Sequence, residues 1–218
     1  MKTNHRSGKA AFTLIELMAV ITIIVILAGL VVGGLGYVTD KQAKSRASVQ
    51  IALLSKALEA YKLDMGTYPL TADTTTGMSK SAASLYVPLF YEGYDYNKQS
   101  TPPATWTKKI GTVDYPKSTN IYLADLDPTS TKQGWVDSVT GNNPVPPVST
   151  AIKDPWGKEY GYRTALGLPA GTPAVSPVNP ATINPDFDLW SYGKDGNSKP
   201  AGTSANDIKS NLDDIKNF

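Results

Sequence analysis

The sequence predicts an α+β fold: a long N-terminal α-helix, hydrophobic in one half and amphipathic in the other, packed on a small C-terminal antiparallel β-sheet, with a long loop-rich insert between them. Three observations predict it. No proline falls between Met1 and Pro69, so nothing there breaks a helix. Two short alternating runs, one around Tyr160 and Tyr162 and one from Phe187 to Tyr192, have the period of half-buried strands. The stretch between helix and strands is rich in Thr, Ser, Pro and Gly, as loops are.

The helix has two halves. Over residues 12–36 the chain is almost wholly apolar, and from Leu17 to Leu35 the only side chain with a hydrogen-bonding group is Thr22. That run is roughly 28 Å long as a helix, about the thickness of a bilayer's hydrocarbon core. A secretory signal peptide would have a shorter apolar core and then a cleavage site and a break. Here the apolar run passes into charged residues: Asp40, Lys41, Lys44, Arg46, Lys56, Glu59 and Lys62. Over residues 37–65 the apolar stripe Ala47, Leu54, Leu58, Tyr61 and Met65 recurs at steps of one helix face. One helix from about Phe12 to about Asp64 would be about 80 Å long.

Two features of the first half need a reason. Glu16 sits inside the apolar run, where a carboxyl costs about 2.5–3.5 kcal/mol on insertion scales. One reading is a helix start near the headgroups, where the dipole favours a carboxylate. Gly29, Gly33, Gly34 and Gly36 crowd the end of the run. They are open to two readings, a locally weak helix segment or close packing of small residues between helices.

Charge and composition exclude several classes. Formal charge is +2 over 218 residues, which gives no electrostatic case for nucleic acid. Removing Lys2, Arg6 and Lys9 from the 21 basic residues leaves 18 against 19 acidic ones, so the basic excess belongs to the N-terminal tip. Such a tip stays on the cytoplasmic side of a membrane. Cysteine is absent, which rules out disulfides and thiolate chemistry. The single histidine, His5, has no partner in sequence for metal or triad chemistry.

Residues 66–153 form the insert. Gly66 reads as a C-cap and Pro69 forbids continuation of the helix. Ser81 to Phe90 holds a short helix, Ile121 to Ala124 a strand or extended segment, and Asn142 to Pro147 a loop. The aromatics Tyr86, Phe90, Tyr91, Tyr94, Tyr96 and Trp106 serve either as a partner-binding face or as packing onto the sheet.

Residues 154–218 open on a turn led by Asp154-Pro155, with Trp156, Tyr160 and Tyr162 as strand formers. A Pro- and Ala-rich loop from about Leu168 to Pro185 leads to the second strand, Phe187 to Tyr192. The two strands pair antiparallel against the amphipathic stripe. Beyond them, Ser191 to Asn197 turns sharply and Ser204 to Ile208 returns to it. Two acidic or amide clusters beside a glycine loop suit calcium, which takes oxygen ligands. The same residues are also common in turns and caps. Ser204 caps a last helix with Ile208, Leu212 and Ile215 on one face.

The basic leader followed by Phe12-Thr13-Leu14-Ile15-Glu16-Leu17 resembles the N-terminus of type IV pilins and type II secretion pseudopilins. Tyr61-Lys62-Leu63-Asp64-Met65-Gly66-Thr67-Tyr68-Pro69 resembles the helix exit of the major pseudopilin. DPWG-x-x-Y-x-Y-R from Asp154 and D-x-W-S-x-G-x-DG from Asp188 resemble that family's C-terminal sheet. The resemblance implies a type IV pilin-like fold with residues 1–11 as a prepilin leader. It implies cleavage between Ala11 and Phe12 by a prepilin peptidase and N-methylation of Phe12. Two departures stand out: Ala11 replaces the family's usual glycine, and no proline lies near Gly33.

Cleavage would make Glu16 the fifth residue of the mature chain and create an amine at Phe12. That amine on an incoming subunit can meet Glu16 of its neighbour and set assembly register. The resemblance further implies calcium bound by the Asp195 and Asp207 carboxylates, assisted by the Tyr192 carbonyl and Asn206. It implies a non-enzymatic subunit, stored in the inner membrane by a single span with its C-terminal domain in the periplasm. The expected partners are its own copies in a helical filament that drives protein export, the inner-membrane assembly platform, minor pseudopilins and the lipid bilayer. The chain has no P-loop, so partners would hydrolyse ATP. The alternatives are a surface pilin for adhesion or motility and a membrane-tethered enzyme. Against the enzyme stands the lack of a usable His, Cys or convergent acid pair.

Overall fold

The computed structural model describes residues 12–69, 79–80, 82–110, 113–130, 134–137, 150–164, 182–199 and 204–217. Ala11, Ser81, the loop Asn142 to Pro147 and most of the loop after Leu168 lie outside the described residues. The chain divides into two compact units, one up to Gln42 and one from Ala43 onward.

Helix α1 spans Leu14–Met65 and passes without interruption through the glycines at 29, 33, 34 and 36. In its first half, the large apolar side chains from Phe12 to Val32 are all more than half exposed, the least of them 51%. Among the described residues α1 is the one helix long and apolar enough to cross a membrane. Its second half is one-sided. Of the predicted stripe, Ala47, Leu54, Leu58 and Tyr61 are buried and Met65 is partly buried; Ile51 and Ala57 are buried beside them. The helix stops at Gly66, which takes φ 75 and donates its N–H to the Lys62 carbonyl at 2.8 Å, a left-handed stop that glycine allows without steric cost.

Within the second unit, a four-stranded antiparallel sheet runs in the order β1-β4-β5-β6. Its strands are β1 (Ser79–Lys80), β4 (Gly161–Thr164), β5 (Phe187–Ser191) and β6 (Ile215–Lys216). A separate hairpin joins β2 (Thr107–Ile110) to β3 (Val113–Pro116). The predicted central pair is β4 and β5, in register Gly161↔Trp190, Tyr162↔Leu189, Arg163↔Asp188 and Thr164↔Phe187. Strand alternation sorts these side chains. Tyr162, Phe187 and Leu189 join Leu54, Leu58 and Tyr61 in one hydrophobic core. Two core hydroxyls of this region are satisfied: Tyr160 donates to Gln50 Oε1 at 2.5 Å and Tyr162 to the Pro69 carbonyl at 3.0 Å.

Gly161, Arg163, Asp188 and Trp190 occupy the other face. Arg163 and Asp188, 1% and 0% exposed, pair through Nε–H···Oδ2 at 2.6 Å. Asp188 also accepts the N–H groups of Ile183 and Asn184 at 2.9 and 2.8 Å. Those extra donors are what a buried carboxylate needs.

The insert packs through its aromatics. Ala82–Tyr91 is helical but wound as a π-helix containing Pro88, and α2 (Glu92–Lys98) follows it. Pro88 has no N–H and its ring blocks the ordinary i−4 ladder; a wider turn accommodates it. Leu85, Tyr86, Leu89 and Phe90 are buried in the core, with Tyr91 and Tyr94 against them. Tyr96 meets Trp106 edge-on at 5.5 Å. Tyr86 and Phe90 are buried in this packing, and Tyr91, Tyr94, Tyr96 and Trp106 are half-buried.

Three expectations need correcting. Leu123 has extended dihedrals, but Ala124–Leu126 is a 3₁₀ turn. No ladder forms at Ile121 to Leu123, because the Tyr122 and Leu123 N–H groups both turn to the Leu89 carbonyl. Trp156 sits in the Asp154–Gly157 turn, closed by Gly157 N–H to the Asp154 carbonyl at 2.9 Å, and not in a strand. The last helix, α3 (Ala205–Ser210), is short. Ile208 and Leu212 are exposed, and Ile215 belongs to β6, paired with Ser191.

Candidate functional site

Two groups of residues carry the functional expectations, one in each unit. At the N-terminal motif, Glu16 Oε2 accepts the Thr13 N–H at 2.9 Å and the Thr13 hydroxyl at 2.8 Å. The Glu16 N–H points back to Thr13 Oγ1 at 3.3 Å. This reciprocal pattern is a capping box. It satisfies orphan N–H groups at the start of α1 and fixes the helix to begin within the Phe12–Leu17 motif. Phe12 precedes it, 84% exposed. Ala11, the other half of the expected cleavage pair, lies outside the described residues. The signal for the box is Thr-x-x-Glu before an apolar run.

The second group surrounds the turn after β5. Asp154, 3% exposed, holds the turn from outside. Its Oδ1 accepts the N–H groups of Trp156 and Lys158, and its Oδ2 the Ser191 hydroxyl at 2.6 Å. Ser191 Oγ in turn accepts the Gly193 N–H at 3.1 Å. The turn reverses through Gly193 and Gly196, at φ 63 and 71, both in the region that favours glycine.

Of the four expected cation ligands, Asp195 lies in this turn, where its Oδ1 accepts the Asn197 N–H at 2.7 Å. Tyr192 follows β5, its ring 6.1 Å from that of Trp190, and burial pushes its phenol up. Asn206 is exposed on α3. Asp207, in the first turn of α3, pairs with Lys199 Nζ at 2.9 Å, and its N–H meets the Ser204 hydroxyl at 3.2 Å. Hydrogen bonds from Ser204 and Lys199 hold its carboxyl below the usual range. Ser204 is thus the cap the sequence predicts.

Sequence reasoning missed two carboxyls here. Asp213 Oδ2 accepts the Asp195 N–H at 3.0 Å. Asp214 has no exposed side-chain surface; its Oδ2 accepts the Ser198 hydroxyl at 2.5 Å, and its buried Oδ1 has no hydrogen-bond partner. Asp213 and Asp214 were hidden by the helical spacing of Ile208, Leu212 and Ile215 around them.

Among the described residues, no three acidic, His or Cys side chains stand close enough to hold a metal by themselves. The donor set nevertheless fits a hard cation. It consists of oxygens on a glycine-bearing turn, and one buried carboxylate oxygen is unsatisfied. Backbone carbonyls would have to complete such a site.

Comparison with known proteins gives two concordant family matches in the N-terminal and middle parts of the chain. The family model described as the prokaryotic N-terminal methylation motif matches residues 6–32. The model for type II secretion system protein G matches residues 36–119. A type II secretion system core protein G from Aeromonas hydrophila is 35% identical over 106 residues, covering 49% of this chain and 71% of the relative. The protein of that name from Klebsiella michiganensis is 44% identical over 67 residues, 31% of this chain. There the match spans about half of the relative's length, 47%. The Vibrio cholerae protein of that name is 24% identical over 208 residues, covering 95% of this chain and 96% of the relative. No solved structure matches the chain.

Proposed function

The chain belongs to the family of the type II secretion system core protein G, and we propose that it is the major pseudopilin of such a system, a subunit that works by polymerising and not by catalysis. The observation that carries this reading is the combination at the N-terminus: the methylation motif over residues 6–32 coincides with an apolar helix whose large side chains from Phe12 to Val32 are exposed. Such a helix is stored in lipid and later packed against copies of itself.

Energetics explain why Glu16 is needed. Moving an apolar helix from lipid to a filament core exchanges one apolar surrounding for another, so hydrophobic burial contributes little. A polar pair is what discriminates one register from the next. In the stored chain the Thr13 box satisfies Glu16. After a cut between Ala11 and Phe12, the new methylated amine offers Glu16 of a neighbour an opposite charge in a low-dielectric setting, where an unpaired carboxylate is costly.

Prepilin peptidase would make that cut, and the inner-membrane platform would add subunits to a periplasmic filament that minor pseudopilins cap. If calcium binds, it does so at the turn after β5, with Asp195 among its ligands; it would clamp the C-terminal segment, as a disulfide does in chains with cysteine.

Deletion and complementation test the proposal. Loss of the chain abolishes protein export, wild type restores it, and Glu16→Gln inserts normally but neither exports nor polymerises. Long surface fibres with unaffected export would instead identify a surface pilin.

A further inference from the structure

The apolar run of α1 is bounded at both ends by polar side chains. Between Glu16 and Asp40 no residue is charged, and Lys41 is the first basic residue beyond that interval. From Glu16 to Tyr37 the helix rises about 32 Å, close to the thickness of a bilayer's hydrocarbon core. Tyrosine is favoured where such a core meets the headgroups, because its ring is apolar and its hydroxyl is wet.

Tyr37 is 71% exposed, and the Lys41 ammonium stands 5.9 Å from the centre of its ring. One helical turn separates the two, so they share a face of α1. The ring attracts the positive charge but gives it no oxygen acceptor, and the ammonium keeps three N–H donors to offer. Asp40 is adjacent to Lys41 in sequence, and neighbouring residues on a helix do not face each other.

We propose that Tyr37 and Lys41 form a seat for an anionic phospholipid, with the ring at the boundary of the acyl chains and the ammonium on the lipid phosphate. This rests on the reading that the chain is stored in a bilayer, and it adds which residues and which class of lipid hold the end of the span. The surroundings select the occupant. Val38, beside Tyr37, is also exposed, and both suit hydrocarbon. A cation one turn further suits an anion found at that depth. A lipid phosphate meets both conditions, whereas an acidic protein segment would pair with the lysine and leave Tyr37 and Val38 uncovered. The seat sets how deep the stored helix sits, and a subunit leaving the bilayer for a filament must give the lipid up.

The test reconstitutes the full-length protein in vesicles of phosphatidylcholine and phosphatidylglycerol and compares spin-labelled forms of the two lipids at the protein surface. Lys2→Gln, Arg6→Gln and Lys9→Gln are present throughout, so that charge before Phe12 takes no part. On this background the chain prefers phosphatidylglycerol, and high salt weakens the preference. Lys41→Gln lowers it about fivefold, the contribution of one basic residue at an anionic surface, and Lys41→Arg keeps it. Tyr37→Leu lowers it in part, while Tyr37→Phe, which retains the ring, does not. Lys56→Gln, exposed further along α1, removes the same charge and leaves the preference intact. The proposal is overturned if Lys41→Gln keeps the full preference, if Lys56→Gln lowers it as much, or if the parent shows none. Alkaline extraction of the vesicles reports on membrane storage separately. A chain that alkali strips off overturns storage and seat together; one that stays without a lipid preference overturns only the seat.

Discussion

At the scale of single residues, the most exacting demands come from charges out of reach of water. Arg163 and Asp188 face each other across β4 and β5 with almost no exposure. Replacing Asp188 with Asn leaves a buried guanidinium unpaired, which costs about 3–5 kcal/mol; urea denaturation of the purified protein should show a loss of that size. Replacing both partners by apolar residues of matching shape should recover much of it. Gly193 is constrained twice, by φ 63 and by the Asp213 carboxyl against it. Gly193→Ala should therefore lower stability by about 1–3 kcal/mol, and the same melt would detect it. Of these positions the sequence pointed to Gly193 through its turn composition. It could not point to Asp213, whose place depends on a strand pairing made with residues far away in the chain.

At the scale of elements, α1 is the most legible part of the molecule, because both of its signals are local. The apolar run marks one half, and the stripe through Ala47, Leu54, Leu58 and Tyr61 marks the buried face of the other. Leu54 has no exposed surface, so Leu54→Ala should cost about 2–5 kcal/mol, whereas exposed Leu63 should tolerate alanine with little loss. At the other end, Thr13→Ala removes the hydroxyl of the capping box. It should weaken the helix start by about 1 kcal/mol, seen as faster hydrogen exchange at the amides of Ile15 to Leu17. The β2–β3 hairpin was missed although Gly111-Thr112 between two short runs is a hairpin signal; the lysines in β2 masked its alternation. β6 and β1 are two residues each, too short to carry any period. They exist because β4 and β5 offer open edges.

At the scale of the whole molecule, the second unit is built on tyrosines that join the helix, the sheet and the insert. Burial pushes the phenols of Tyr61, Tyr86, Tyr160 and Tyr162 well above their ordinary value near 10. A group whose pKa is raised by folding stabilises the fold fully below its unfolded pKa. That contribution is lost as pH rises past it. Stability should thus fall above about pH 10, and an ultraviolet titration should show these phenols ionising together with unfolding; ionisation in a still folded protein would contradict their burial. The fold class was readable because a long amphipathic helix and two alternating strands are sufficient to define it. The candidate cation site was half readable. Its turn is local and rich in glycine, but its other carboxyls arrive only through tertiary pairing.

The most direct measurement of the central claim is the intact mass of the subunit recovered from polymerised material in cells that contain the secretion system and its prepilin peptidase. The expected result is a chain that has lost residues 1–11 and gained one methyl group, beginning at Phe12, in filaments that do not form from Glu16→Gln. Polymer built from the uncut chain, or from a chain cut elsewhere, would contradict it.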